Sequence, residues 1–143
     1  MRFKIAVVVL VGIGVAGAFG AVSAQEKSQW DGVYTAEQAK RGEAVYTEAC
    51  SACHAPNLAG SDLAPPLAGN EFAANWNNMK IGDLYARISQ SMPLSAPASL
   101  TAQQYADLIA FILQVGKAPA GSEELPATKE PLDSIKFVES PPK

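Results

Sequence analysis

The sequence predicts an all-α fold, and three observations carry that prediction. Apolar residues recur at helical spacing in several segments, and no run alternates with the period of a strand. Two of those segments open on Thr-x-x-Gln, at Thr35 to Gln38 and Thr101 to Gln104. In such a box the threonine caps the helix and the glutamine reaches back to the cap's amide. Glycine and proline gather between the segments, where they punctuate turns.

The first helix is predicted from its cap at Thr35 to about Glu48, with Ala39, Gly42, Tyr46 and Ala49 on one face. Glu37, Lys40, Arg41 and Glu48 fall elsewhere and read as solvated. Glu37 and Arg41 are an i,i+4 pair in the favourable order. A single turn follows around Cys50 to His54, stopped by Pro56. Asn57 to Gly69 reads as loop, and Phe72 to Trp76 as a short helical turn. A third helix is expected from Gly82 or Asp83 to Gln90, with Leu84, Ile88 and Tyr85 inward, ended by Met92-Pro93. The last helix starts at the second box. Leu100 can staple onto Tyr105, and Tyr105, Leu108, Ile109, Ile112 and Val115 form an apolar stripe that reads as core. Gly116 is placed to end it. From 118 to 143 the chain is rich in Pro, Glu, Lys and Ser and reads as an extended tail with little regular structure.

Cys50-Ser51-Ala52-Cys53-His54 holds both cysteines and the single histidine of the chain. C-x-x-C-H is the pattern of c-type haem attachment. Two thiols on one helical turn can each bond to a haem vinyl group, and the imidazole that follows can supply a ligand to the iron. Three other readings fit fewer facts. A redox dithiol needs a βαβ context. A zinc site needs about four ligands where three exist. A disulfide between cysteines this close would be strained.

The first 24 residues read as an export signal. Arg2 and Lys4 precede an apolar run from Ile5 to Val22, and Val22-Ser23-Ala24 suits cleavage before Gln25. The alternative is an uncleaved membrane anchor, since the run is near the lower length limit for a span. Export agrees with covalent haem, which bacteria attach outside the inner membrane. The predicted organisation is a signal peptide over 1–24, one haem domain over 25–117 and a tail over 118–143. The formal charge of −3 becomes −5 once Arg2 and Lys4 are removed. That balance argues against nucleic acid and favours a partner with a basic docking surface.

From Trp30 to Val115 the chain resembles a class I, monohaem cytochrome c. The resemblance implies an all-α fold of about four helices around one covalently attached haem, with the first and last helices crossing near a right angle. Gly42 and Tyr46 match the family's small-x-x-x-aromatic contact, which Tyr105, Leu108 and Ile109 would meet. Ala64-Pro65-Pro66-Leu67-Ala68-Gly69 resembles the family's Gly-Pro-x-Leu-x-Gly segment. By that match the Pro65 carbonyl accepts the Nδ1 hydrogen of His54, with Pro66 as the alternative acceptor, and Leu67 packs on the haem. Trp76 either hydrogen-bonds a haem propionate or is a core aromatic. Met92, before a proline ahead of the last helix, resembles the family's distal ligand, whereas Met79 reads as packing. No second histidine exists to compete. The segments Trp30 to Tyr34, Ala39 to Gly42 and Ala106 to Ala110 are similar to cytochrome c domains found with quinoprotein dehydrogenases.

The resemblance implies a periplasmic electron-transfer protein, not an enzyme. It would carry one electron on a haem ligated by His54 and Met92, from a dehydrogenase to an oxidase or another cytochrome. Membrane contact is expected only if the signal segment stays uncleaved. Two alternatives remain: a haem subunit of a larger oxidoreductase, docked by the tail after Lys117, and a haem enzyme or sensor with an open distal site.

Overall fold

The computed structural model describes residues 26–141. The predicted signal segment lies outside them. Among the described residues no helix is long and apolar enough to cross a membrane. The elements, in chain order, are β1 (Lys27–Ser28), a 3-10 turn (Gln29–Asp31), α1 (Ala36–Ala49), α2 (Ser51–His54), α3 (Gly69–Trp76), α4 (Ile81–Ser91), α5 (Ala102–Val115), α6 (Lys129–Leu132) and β2 (Ile135–Lys136). The two short strands pair in parallel, Lys27 opposite Ile135. The fold is all-α with a two-strand clasp.

Both capped helices start where their threonines predict. Thr35 Oγ1 accepts from the Gln38 amide at 3.1 Å, and Thr101 Oγ1 from the Gln104 amide at 3.2 Å. The box is complete only at Thr101, whose own amide donates to Gln104 Oε1 at 2.9 Å. Gln38 is committed elsewhere. α3 begins three residues before the expected Phe72, after an extended Ala68 that offers no capping side chain and so left no signature. α5 ends at Val115 with Gly116 as its cap, as expected, but the left-handed turn comes one residue later. Gly116 keeps φ −69°, and Lys117 takes the left-handed φ of 70°. Ala118 N–H then donates to Leu113 O at 3.0 Å and Lys117 N–H to Gln114 O at 3.0 Å, the paired bonds of a Schellman ending.

α1 and α5 form the centre of the molecule. They touch backbone to backbone at Gly42, where a Cβ would stand 1.9 Å from Asp107 O. One turn on, the Tyr46 ring meets Phe111 at 5.4 Å, a partner the resemblance did not name. Arg41 does not pair with Glu37. Its Nε and Nη2 grip both oxygens of Asp107, each at 3.0 Å, and Nη2 also reaches Glu124 at 2.8 Å. A twin, charge-assisted grip on a carboxylate only 4 % exposed outweighs an exposed i,i+4 pair.

Segment 118–141 is not a loose tail. Leu125, Leu132, Ile135 and Phe137 are buried in the same core as α1 and α5. Its backbone is held by side chains from far upstream. Gln38 donates Nε2–H to Leu125 O at 3.0 Å and accepts the Leu125 amide at 2.7 Å. Gln29 clasps Val138 the same way, its Nε2 donating to the carbonyl at 2.5 Å and its Oε1 accepting the amide at 2.8 Å. Tyr34 and Tyr85 hydroxyls donate to Ala118 O and Ala127 O. The segment's apolar residues have no period because each enters a separate gap, so local pattern could not reveal them.

Candidate haem site

The attachment turn is built by a break in the helix. Cys50 closes α1 with its amide on Tyr46 O at 2.9 Å, then departs from helical geometry at φ −126°. Its own carbonyl then accepts from Cys53 at 3.2 Å and His54 at 3.0 Å, which draws the two sulfur-bearing residues and the imidazole onto one turn. Cys50 is half-buried and Cys53 exposed, and no disulfide joins them. Burial, with Cys53 close by, pushes the Cys50 thiol up to about 11. Among the described residues no three His, Cys, Asp or Glu side chains gather as a metal site.

His54 is 7 % exposed, and its Nδ1 lies 2.8 Å from Pro65 O. A carbonyl only accepts, so Nδ1 carries the hydrogen and Nε2 keeps its lone pair for a metal. Pro65, not Pro66, supplies that oxygen. The loop that brings it is tightly laced. Gly60 N–H donates to His54 O at 3.0 Å and Leu67 N–H to Leu58 O at 2.9 Å. Gly60 has φ 77°, and a Cβ there would stand 2.6 Å from Pro66 N, so only glycine lets the Pro65-Pro66 peptide lie this close. Ala55 and Leu58 also take positive φ, 66° and 60°. Strain of this kind persists where surroundings overdetermine it. Here the Tyr46 hydroxyl donates to Ala55 O at 2.5 Å, and burial pushes that phenol up to about 12.

Cys50 opens on a shallow crevice between the loop, α4 and α5. Its walls are wholly apolar: Leu67 from the loop, Ile88 from α4, Met92 and Leu100 from the segment between helices, and Leu108 and Ile112 from α5. The apolar stripe of α5, read from sequence as plain core, is therefore also a wall. Met92 is positioned at both ends of its backbone. Its amide donates to Ile88 O at 2.9 Å, and its carbonyl accepts the Tyr105 hydroxyl at 2.7 Å.

The structure thus brings Cys50, Leu67 and Met92 to one crevice, with Cys53, His54 and Pro65 on the adjoining turn and loop. Trp76 is not part of that lining. It packs on Phe72 at 6.1 Å, which in turn meets Phe137 at 5.8 Å. Met79 neither lines the crevice nor fills the core. It is 40 % exposed, and its carbonyl accepts the Phe137 amide. Sequence reasoning missed Gly60, Tyr46 and Tyr105 as positioning residues. The signal was available for the tyrosines, because a buried phenol in an apolar stripe needs an acceptor.

These residues fit a haem. The donor set offers two thiols three positions apart, an imidazole with one nitrogen tied and one free, and a thioether on an apolar wall. The fold and site define a cytochrome c domain, an electron carrier with covalently attached haem c, not an enzyme. Residues 37–112, over half of the chain, match the family model described as cytochrome c oxidase, cbb3-type, subunit III, and the chain belongs to that family. No curated protein sequence matches it. Among solved structures it is similar to the sulfane dehydrogenase SoxCD from Paracoccus pantotrophus. That likeness has a TM-score of 0.51 at 20 % identity and covers 76 % of this chain. It covers 61 % of the other chain, under two thirds of its length, and shows the fold.

Proposed function

We propose that this protein is a periplasmic carrier of single electrons. Cys50 and Cys53 would hold one haem, and His54 and Met92 would ligate its iron. The observation that carries the reading is the His54 Nδ1 to Pro65 O bond, which leaves Nε2 free on the same turn as Cys50, a residue that lines the crevice with Met92. A haem held between imidazole and thioether supplies one-electron transfer at a raised potential and leaves no position for oxygen. The chain's residues do the rest. Pro65 fixes the imidazole tautomer and raises its basicity. Tyr105 keeps Met92 against the wall, and Leu67, Ile88, Leu108 and Ile112 exclude water. The export signal over 1–24 supports a periplasmic address, with an anchor as its alternative. The donor is a dehydrogenase and the acceptor an oxidase or another cytochrome.

A second reading, a haem subunit fixed within a larger oxidoreductase, is supported by the family, whose description is that of an oxidase subunit. Co-purification with a stoichiometric large subunit separates the two.

The test is expression in a host with working cytochrome maturation. Haem stain should persist on a denaturing gel, and C50S/C53S should lose it. Reduced and oxidised spectra should be low-spin, and the ferrous protein should resist carbon monoxide at neutral pH, whereas M92A binds it. Colourless protein, or rapid carbon monoxide binding by the wild type, would defeat the reading.

A further inference from the structure

A series of contacts joins the C-terminal segment to Met92. Tyr105, 3 % exposed, donates its hydroxyl to Met92 O at 2.7 Å. Its ring meets the Tyr85 ring edge to face, with centroids 6.4 Å apart and planes at 81°. The Tyr85 hydroxyl then donates to Ala127 O at 2.9 Å, 42 residues further along the chain. Tyr85 lies outside the crevice lining, so its hold on Met92 runs through Tyr105.

The acceptor at Ala127 is fixed from both sides. Upstream, both ends of the Gln38 amide clasp Leu125. Downstream, α6 seats on α4 at Gly82, where a Cβ would stand 2.9 Å from Lys129 O. Lys129 Nζ also reaches Asp83 of α4 at 3.5 Å. Tyr85 stands about one turn beyond Gly82 on the same helix.

We infer that Tyr85 is a positioning residue for Met92, acting through Tyr105, with segment 118–141 as its anchor. The inference deepens the carrier reading above and rests on it. Phenylalanine would fill either ring's place as well, so the two hydroxyls are there for their acceptors. The bond to Ala127 O fixes the Tyr85 ring. An edge-to-face contact is directional, so that ring sets the tilt of Tyr105 and hence the aim of its hydroxyl at Met92 O. A thioether binds iron weakly, and a weak ligand gains most from being held in place beforehand. The segment that closes the fold therefore also steadies the distal ligand.

Added imidazole is the probe, and the ferric haem-bearing protein is titrated with it. The iron–sulfur bond breaks, an iron–nitrogen bond forms, and no electron moves. Loss of the sulfur-to-iron charge-transfer band follows the exchange. Loosening the anchor raises the fraction of molecules with Met92 off the iron, and the apparent Kd for imidazole falls by the same factor. Y85F should lower it about fivefold, the factor for one net hydrogen bond. Y34F removes a hydroxyl tether to Ala118 O at the start of the same segment, away from Tyr105, and should stay within about twofold of the wild type. Y105F should itself lower the Kd, and Y85F/Y105F should lower it no further, because the route runs through Tyr105. An unchanged Kd in Y85F would overturn the inference. So would an equal fall in Y34F, which would make the segment a general brace, or additive falls in the double variant. A wild type that lacks the charge-transfer band before imidazole is added would instead defeat the carrier reading.

Discussion

Gly42→Ala sets two physical effects against each other. Alanine in a helix interior is more favourable than glycine by roughly 1 kcal/mol, so local propensity alone predicts a more stable protein. The structure predicts the reverse. The new methyl carbon would stand 1.9 Å from Asp107 O and 2.5 Å from its carbonyl carbon, both backbone atoms with no rotamer to escape into. Comfortable contact needs about 3.5 Å, so α5 must retreat by roughly 1.5 Å at the crossing. Overpacking of this kind costs about 1–3 kcal/mol. The retreat also opens the Tyr46–Phe111 ring contact, worth about 0.5–1.5 kcal/mol, and lengthens the Arg41–Asp107 grip. With the propensity gain subtracted, the net loss is about 2 kcal/mol, or a fall of about 8 °C in Tm for a domain of this size. The assay is guanidinium unfolding of the haem-bearing protein followed by far-UV circular dichroism, with Ala44→Gly on the exposed face of α1 as control. The control should lose about 1 kcal/mol from propensity alone. A G42A protein as stable as the wild type, or more so, would refute the backbone contact between α1 and α5.

Tyr105→Phe keeps the ring and removes the donor to Met92 O. It should cost about 1 kcal/mol and let carbon monoxide compete at the ferrous iron where the wild type resists; unchanged resistance would mean the hydroxyl does not hold Met92. Gly60→Ala should displace the Pro65-Pro66 peptide and weaken the His54 bond. A less basic imidazole favours ferrous iron less poorly, so the potential measured by voltammetry should rise, and a fall would contradict the assigned role. Gln38→Ala leaves the buried Leu125 amide without an acceptor and should cost about 2 kcal/mol. Limited proteolysis should then nick 118–141 first, and cleavage elsewhere would count against the strap. Burial raises the Tyr34 phenol and pushes Tyr46 up to about 12. Above about pH 10 the unfolded tyrosines release protons that the folded ones keep, so stability present below pH 10 declines toward pH 12. An unfolding midpoint that is the same at about pH 9 and about pH 11 would show that these phenols are not protected.

The sequence by itself determined where the two capped helices start and which residue types the site contains. Thr35 and Thr101 mark their helix starts because a cap and its glutamine are neighbours in the chain. Cys50, Cys53 and His54 declare haem attachment because that reaction needs them on one turn. What required the tertiary structure was every contact between residues distant in the chain. Gln38 looked like half of a capping box and instead clasps Leu125. Arg41 looked solvated and instead grips Asp107. The stretch after Lys117 looked loose because its buried residues follow no period, yet each fills a gap made by other elements. The same limit applies to the site. Spacing places a histidine beside two thiols and the resemblance offers Pro65 or Pro66 as the acceptor for Nδ1, but the folded loop, with Gly60 beneath it, decides for Pro65. Local signals arise from neighbours along the backbone, whereas positioning arises from packing, which no short stretch of sequence contains.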